Sequence, residues 1–196
     1  MKSHKNVTGL ILAGGKARRM GGIDKGLVSL KDRSMISYII DALKPQVNHI
    51  IINANRNIPD YEKFGYPVIR DDIADYQGPL AGMASGLKHA KTDYIVTAPC
   101  DGPLLAHNYV KTLLESAHKN NTQISVAFDG NRLQPVYALL HKELLLDLNE
   151  FLSSGERKID RWYEKHHYAQ ADFSACPEMF TNINTLEDIH TANQLI

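Results

Sequence analysis

Three groups of residues in this chain have the types and spacing to handle a phosphate chain and a flat base. The first lies in "GLILAGGKARRMGGIDKGLV", where the apolar run 9–13 passes straight into Gly14 and Gly15, followed by Lys16, Arg18, Arg19 and Lys25. Glycines there admit backbone conformations that a side chain forbids, and they let amide groups converge on an anion. The loop joins Leu12, Ala13, Gly14 and Gly15 as a candidate cradle, with Arg19 and Lys25 supplying charge. The second group is "IVTAPCDGPLL", in which an apolar run meets Asp101. A carboxylate there suits Mg²⁺, which takes one or two carboxylates together with phosphate oxygens. Asp before Gly-Pro also caps ordinary turns, so the loop at 14–25 is what favours the metal role for Asp101. The third group is Asn53, after "HIII", and Asp71, in "VIRDDIADYQGPLAGM". A carboxylate accepts two hydrogen bonds side by side, as the N1 and N2 donors of guanine require, and an amide offers both a donor and an acceptor. Gly78, Pro79 and Gly82 would set small residues and a helix start beside that pocket.

Other chemistries fit less well. Residues 21–26 carry the G-x-x-x-x-G spacing, but Leu27 and Val28 stand where a nucleotide-hydrolase loop needs Lys and Ser or Thr, and no G-x-G-x-x-G occurs. The nine histidines are dispersed. His166 and His167 lie among Trp162, Tyr163 and Tyr168 without a second ligand at zinc spacing, which suits packing or surface roles. Cys100 has no basic partner in its motif and reads as a small buried residue rather than a nucleophile.

These residues need a scaffold that delivers them to one edge. Apolar, uninterrupted runs at 7–12, 49–53, 67–70, 94–98 and 123–128 have the character of strands covered on both faces. Between them, 34–43, 79–89 and 108–119 repeat apolar residues at helical spacing, as Ile36, Ile39, Ile40 and Leu43 show. Pro45 closes the first helix, and Pro79 opens another where its missing amide costs nothing. "RLQPVYALL" and "HYAQADF" read as further strands, "KELLLDLNEFL" as a helix, and "TLEDIHTANQLI" as a closing helix capped by Thr185. The alternation predicts an α/β fold, a Rossmann-like three-layer sandwich on a mostly parallel central sheet, with ligands beyond the carboxyl ends of the strands.

Composition agrees. The 196 residues, 43% hydrophobic and 22% charged, suit one globular domain over 1–196. The expected division is a nucleotide-binding half over about 1–102 and a later half over about 103–196 that covers the far side of the cleft, the acceptor side in the resemblance given below. Lys plus Arg and Asp plus Glu both total 22, which leaves no global positive field to attract nucleic acid, so any anion site is local. Cys100 and Cys176 form neither a metal pair nor a disulfide framework, which fits a reducing cytoplasm. No signal-peptide pattern and no membrane-length apolar stretch is expected to direct the chain elsewhere.

Taken together, "LILAGGKARRMGGIDKGLV", "RDDIADYQGPLAGM" and "PCDGPLL" resemble the molybdenum cofactor guanylyltransferases in order and spacing, and "FTNINTLEDI" extends the likeness over nearly the full chain. The sequence supplies the family's Leu12, Ala13, Gly14, Gly15, Arg19, Met20, Gly21 and Lys25; Ala17 stands where many members have Ser. The resemblance implies that Leu12 to Gly14, Lys25, Asn53, Asp71 and Asp101 bind a guanine nucleotide, with Asp101 also binding Mg²⁺. It places Arg157, Lys158, Asn182 and Asn184 on the molybdopterin side. The implied reaction joins GMP from GTP to the terminal phosphate of molybdenum-bound molybdopterin and releases pyrophosphate, with transient partners that insert molybdenum and deliver the cofactor. Two alternatives stay open: a related cytidylyl or sugar-phosphate nucleotidyltransferase, and a noncatalytic nucleotide or cofactor carrier.

Overall fold

The computed structural model describes residues 6–13, 24–72, 78–183 and 188. Gly14, Gly15, Arg19, Asn184 and the cap at Thr185 lie outside the described residues.

The five apolar runs form strands. β1 is Val7–Leu12, β4 His49–Asn53, β5 Val68–Ile69, β6 Tyr94–Pro99 and β7 Ile124–Phe128, and the later half adds β8, Leu133–His141, and β9, Tyr168–Asp172. They make one seven-stranded sheet in the order β5-β4-β1-β6-β8-β7-β9. Only β8 runs against its neighbours; every other pairing in that sheet is parallel. The helical runs appear as α1, Met35–Leu43; α3, Pro79–His89; and α4, Tyr109–Asn120. "KELLLDLNEFL" is a short 3-10 turn, Lys142–Leu144, leading into α5, Leu145–Ser153.

Side-chain parity sorts the core into two layers, because successive strand residues face opposite sides. On one side Val7, Ile11, Ile52 and Val96 meet α1 through Ile36, Ile39 and Leu43, and α4 through Val110 and Leu113. On the other, Leu10, Ile51, Ile95 and Leu140 meet α3 through Leu80, Met83 and Leu87. α5 and α6, Ile159–Tyr163, cover that second side with Leu148, Phe151 and the fully buried Trp162. This is the three-layer sandwich expected of the strand-helix alternation. Among the described residues no helix is long and apolar enough to cross a membrane.

Smaller elements complete the frame. β2, Ser29–Leu30, and β3, Arg33–Ser34, form an antiparallel hairpin, and α2 spans Ile58–Glu62. The β6–β8 ladder covers only residues 94–96 against 139–141. Beyond it the Thr97 hydroxyl donates to Val136 O at 2.6 Å and accepts from Ala138 N at 3.2 Å, so the two strands no longer bond backbone to backbone where β6 approaches Pro99.

Candidate active site

The carboxyl ends of the parallel strands lie abreast, and backbone bonds just past them keep the level. Ala13 N donates to Asn53 O, Ala54 N to Ile69 O, and Cys100 N to Leu12 O, at 2.8, 2.9 and 3.0 Å. The exit of β1 is therefore flanked on one side by the residues after β6 and on the other by those ending β4 and β5. Two polar clusters occupy these flanks.

On the β6 side, Lys25 Nζ lies 2.9 Å from Asp101 Oδ2, with 26% and 16% of their side-chain surfaces exposed. Lys25 opens a short 3-10 turn, Lys25–Leu27, and the residue before it is buried. Asp24 Oδ1 accepts from Tyr61 Oη at 2.6 Å, and its Oδ2 accepts from Asn57 Nδ2 at 3.4 Å, which anchors the exit of the Gly-rich loop on α2. A Cβ on Gly26 would lie 2.7 Å from the same Tyr61 hydroxyl. Asp101 is held from the far end of the chain: Ile183 N donates to its backbone oxygen at 2.8 Å. Its neighbour Gly102 leaves no room for a Cβ, which would meet Tyr137 Oη at 2.2 Å and Asn182 Oδ1 at 3.7 Å. Asn182 thus stands beside the acid's turn.

On the β4 and β5 side, Asn53 is 2% exposed and donates from Nδ2 to Asp71 Oδ1 at 2.9 Å. Asn55 Nδ2 donates to Asp71 Oδ2 at 2.7 Å, and Asn55 Oδ1 accepts from Asp71 N at 2.9 Å. Of the two consecutive acids, Asp72 serves a different end: its amide donates to Ser85 Oγ and its carboxylate pairs with Lys88, both on α3. α3 is preceded by Gly78 at its N-cap, whose φ of +79° favours glycine, and Pro79 opens its first turn. Gly82 lets this helix close on the pocket, since a Cβ there would lie 2.4 Å from Asn53 Oδ1 and 2.8 Å from Leu12 Cδ2.

The remaining candidates fall elsewhere. Arg157 Nη1 donates to Leu152 O and Glu156 O, both at 2.5 Å, and closes the turn after α5, while Lys158 is exposed at the start of α6. His166 Nε2 lies 2.8 Å from Asp147 Oδ1 and packs edge-on to Trp162, a packing role. Burial, reinforced by the charges of Asp101 and Asp24, pushes the Cys100 thiol well above its ordinary range, so it carries almost no thiolate at neutral pH. Sequence reasoning passed over Asp24, Asn55 and Tyr61. The Asx residue two places beyond Asn53 was a visible signal, but its partner could not be named without the fold.

As a metal position, Asp101 offers a hard carboxylate oxygen. Among the described residues no group of three or more His, Cys, Asp or Glu side chains converges to hold an ion. That donor set fits a hard divalent cation completed by substrate phosphates, and does not fit an all-protein zinc or calcium cage.

Fold and site together define a nucleotidyltransferase, and residues 9–170 match the model of the MobA-like NTP transferase domain; the chain belongs to that family. Its relatives make the particular branch plain. A molybdenum cofactor guanylyltransferase from Shewanella sediminis is 49% identical over 190 residues, covering 97% of each chain. One from Shewanella loihica is 47% identical over the same length and shares. Among solved structures, the molybdopterin-guanine dinucleotide biosynthesis protein A of Archaeoglobus fulgidus superposes with a TM-score of 0.77 over 96% of this chain and 97% of its own, at 21% identity, a likeness of fold.

Proposed function

We infer that this chain transfers GMP from GTP to the terminal phosphate of molybdenum-bound molybdopterin, releasing pyrophosphate and forming the guanine dinucleotide. The observation that carries this reading is the pair of clusters flanking β1: a carboxylate gripped by two amides on one side, and a Lys25–Asp101 pair on the other. The first suits a guanine edge and the second a triphosphate.

A phosphate monoester is largely dianionic at neutral pH, its second pKa being about 6. It can attack the α-phosphorus without a dedicated general base, which suits a site where Cys100 is held protonated. The new bond joins the acceptor oxygen to the α-phosphorus. The α–β bridging bond breaks, and its electron pair leaves with pyrophosphate. Lys25, with Arg19 and the amides of Gly14 and Gly15, neutralises and orients the triphosphate. Asp101 would hold Mg²⁺, which when bound supplies charge to the phosphates and to the leaving pyrophosphate. Leu12, Ala13, Gly78 and Pro79 shape the base side, with Asn53 and Asp71 reading the base.

The acceptor side is built from Asn182, Asn184, Arg157 and Lys158. Asn182 beside Gly102 supports this. The reaction takes place in the cytoplasm, with transient contact to molybdenum-insertion and cofactor-delivery proteins.

Replacing Asp101 with Ala is expected to reduce turnover far more than it weakens GTP binding; equal losses in both would count against its catalytic role. In nucleotide competition GTP should displace CTP and UTP, and preference for either pyrimidine would favour the sugar-phosphate or cytidylyl reading. Pyrophosphate release with GTP, Mg²⁺ and the molybdopterin acceptor separates the enzyme from a carrier.

A further inference from the structure

We propose that Asn55 is a specificity-determining positioning residue, which fixes the carboxylate plane of Asp71 so that its remaining lone pairs face the N1 and N2 donors of guanine. This rests on the reading that Asp71 takes the base.

An ionised carboxylate has about four acceptor positions, two on each oxygen. Among the described residues Oδ1 accepts from Asn53 and Oδ2 from Asn55, one position used on each oxygen, so each oxygen keeps a second position for a ligand donor. The two grips differ. Among the described residues the Asn53 side chain makes one hydrogen bond, to Oδ1, from a buried position against α3 at Gly82. Asn55 makes a two-point contact, donating to the carboxylate and accepting from the backbone amide of the same residue. Its side chain therefore ties the terminal torsion of Asp71 to the backbone after β5. That torsion is otherwise broad and roughly two-fold. A loose carboxylate would still attract donors, but it would not demand two of them in one plane.

The consequence is selectivity. Guanine offers two adjacent donors, and hypoxanthine lacks the N2 amino group. A site whose part-buried acceptors are aimed at both donors leaves one unpaired with hypoxanthine once the base covers it, and such sites reject the incomplete analogue. A site with a rotating carboxylate satisfies itself with one donor and discriminates less.

The test is kcat/KM for GTP and for ITP, with Mg²⁺ and the molybdopterin acceptor, in the unsubstituted enzyme, Asn55→Ala and Asp71→Asn. Removing the Asn55 amide is expected to raise KM for GTP about tenfold, leave kcat near its starting value, and bring the GTP to ITP ratio toward one. Asp71→Asn should abolish the ratio altogether. If Asp71→Asn keeps the original ratio, the base lies elsewhere and the reading beneath the proposal fails. If Asp71→Asn loses it while Asn55→Ala keeps it, the proposal alone is overturned. A ratio of two substrates on one preparation does not depend on the folded fraction, so a merely structural role for Asn55 would not move it. Should Asn55→Ala yield no folded protein, Asn55→Ser keeps an acceptor for the Asp71 amide but falls short of the carboxylate. It is expected to lose the same selectivity, and retention of the ratio there would overturn the proposal.

Discussion

A single residue before the phosphate-facing lysine shows how this site is held. Asp24 is 6% exposed, and its carboxylate stays inside the protein because Tyr61 and Asn57 donate to it. Burial, with the nearby charges, raises the Tyr61 hydroxyl far beyond its ordinary range, so it remains a donor at every working pH. Tyr61→Phe should leave a buried carboxylate oxygen short of its partner and cost about 1–3 kcal/mol of stability. Urea unfolding reads this directly, and turnover should fall with it as Lys25 loses its anchored neighbour. An unchanged urea midpoint would mean that Asp24 finds another donor. Lys25 was legible in the sequence because a cation after glycines and a strand has few other uses. Asp24 was not: an acid in a polar loop reads as solvated, and its partner lies 37 positions away.

Among the elements, α3 packs its glycines where an ordinary helix would place alanine. Gly82→Ala would gain about 1 kcal/mol of helix propensity, yet it drives a methyl into Asn53 and Leu12, and overpacking of this kind costs about 1–3 kcal/mol. The expected outcome is a net loss of stability with a weakened affinity for GTP, measured by thermal melting and nucleotide titration; tighter GTP binding would contradict the packing seen at the pocket. The apolar runs gave the strands of the parallel core and α1, α3 and α4 near their observed bounds, because buried strands and amphipathic helices write their period into the chain. The β2–β3 hairpin left no such mark. Its turn is Lys31–Asp32, both at positive φ, with neither Gly nor Asn to announce it. α2 and α6 have five residues each, too few turns for a period to register. The reversed direction of β8 was equally hidden, since a strand buried on both faces has the same composition in either sense.

At the scale of the whole molecule, the core stores protons. Burial raises the Tyr61, Tyr109, Tyr137 and Tyr163 hydroxyls above their ordinary value of 10.0, and the Cys100 thiol above 9.0. Above those values the unfolded chain has lost these protons while the folded chain keeps them. The unfolded state then binds fewer protons, and stability falls as pH rises. Stability should hold through neutrality and decline from about pH 9, each such group adding up to about 1.4 kcal/mol per pH unit. Urea midpoints from neutral to alkaline pH check the decline, and phenolate absorbance of these four tyrosines should appear only as the protein unfolds; their ionisation at pH 10 in a folded sample would contradict it. The bond from Ile183 N to Asp101 O carries a consequence for biosynthesis. During translation, β1 and β6 leave the ribosome long before residue 183, so a nascent chain can assemble most of its sheet while the loop bearing its principal acid still lacks that clasp. Until residue 183 has emerged, the turn that carries the acid folds one backbone hydrogen bond short of its final support, so the last strand-to-strand contacts precede the tightening of that corner.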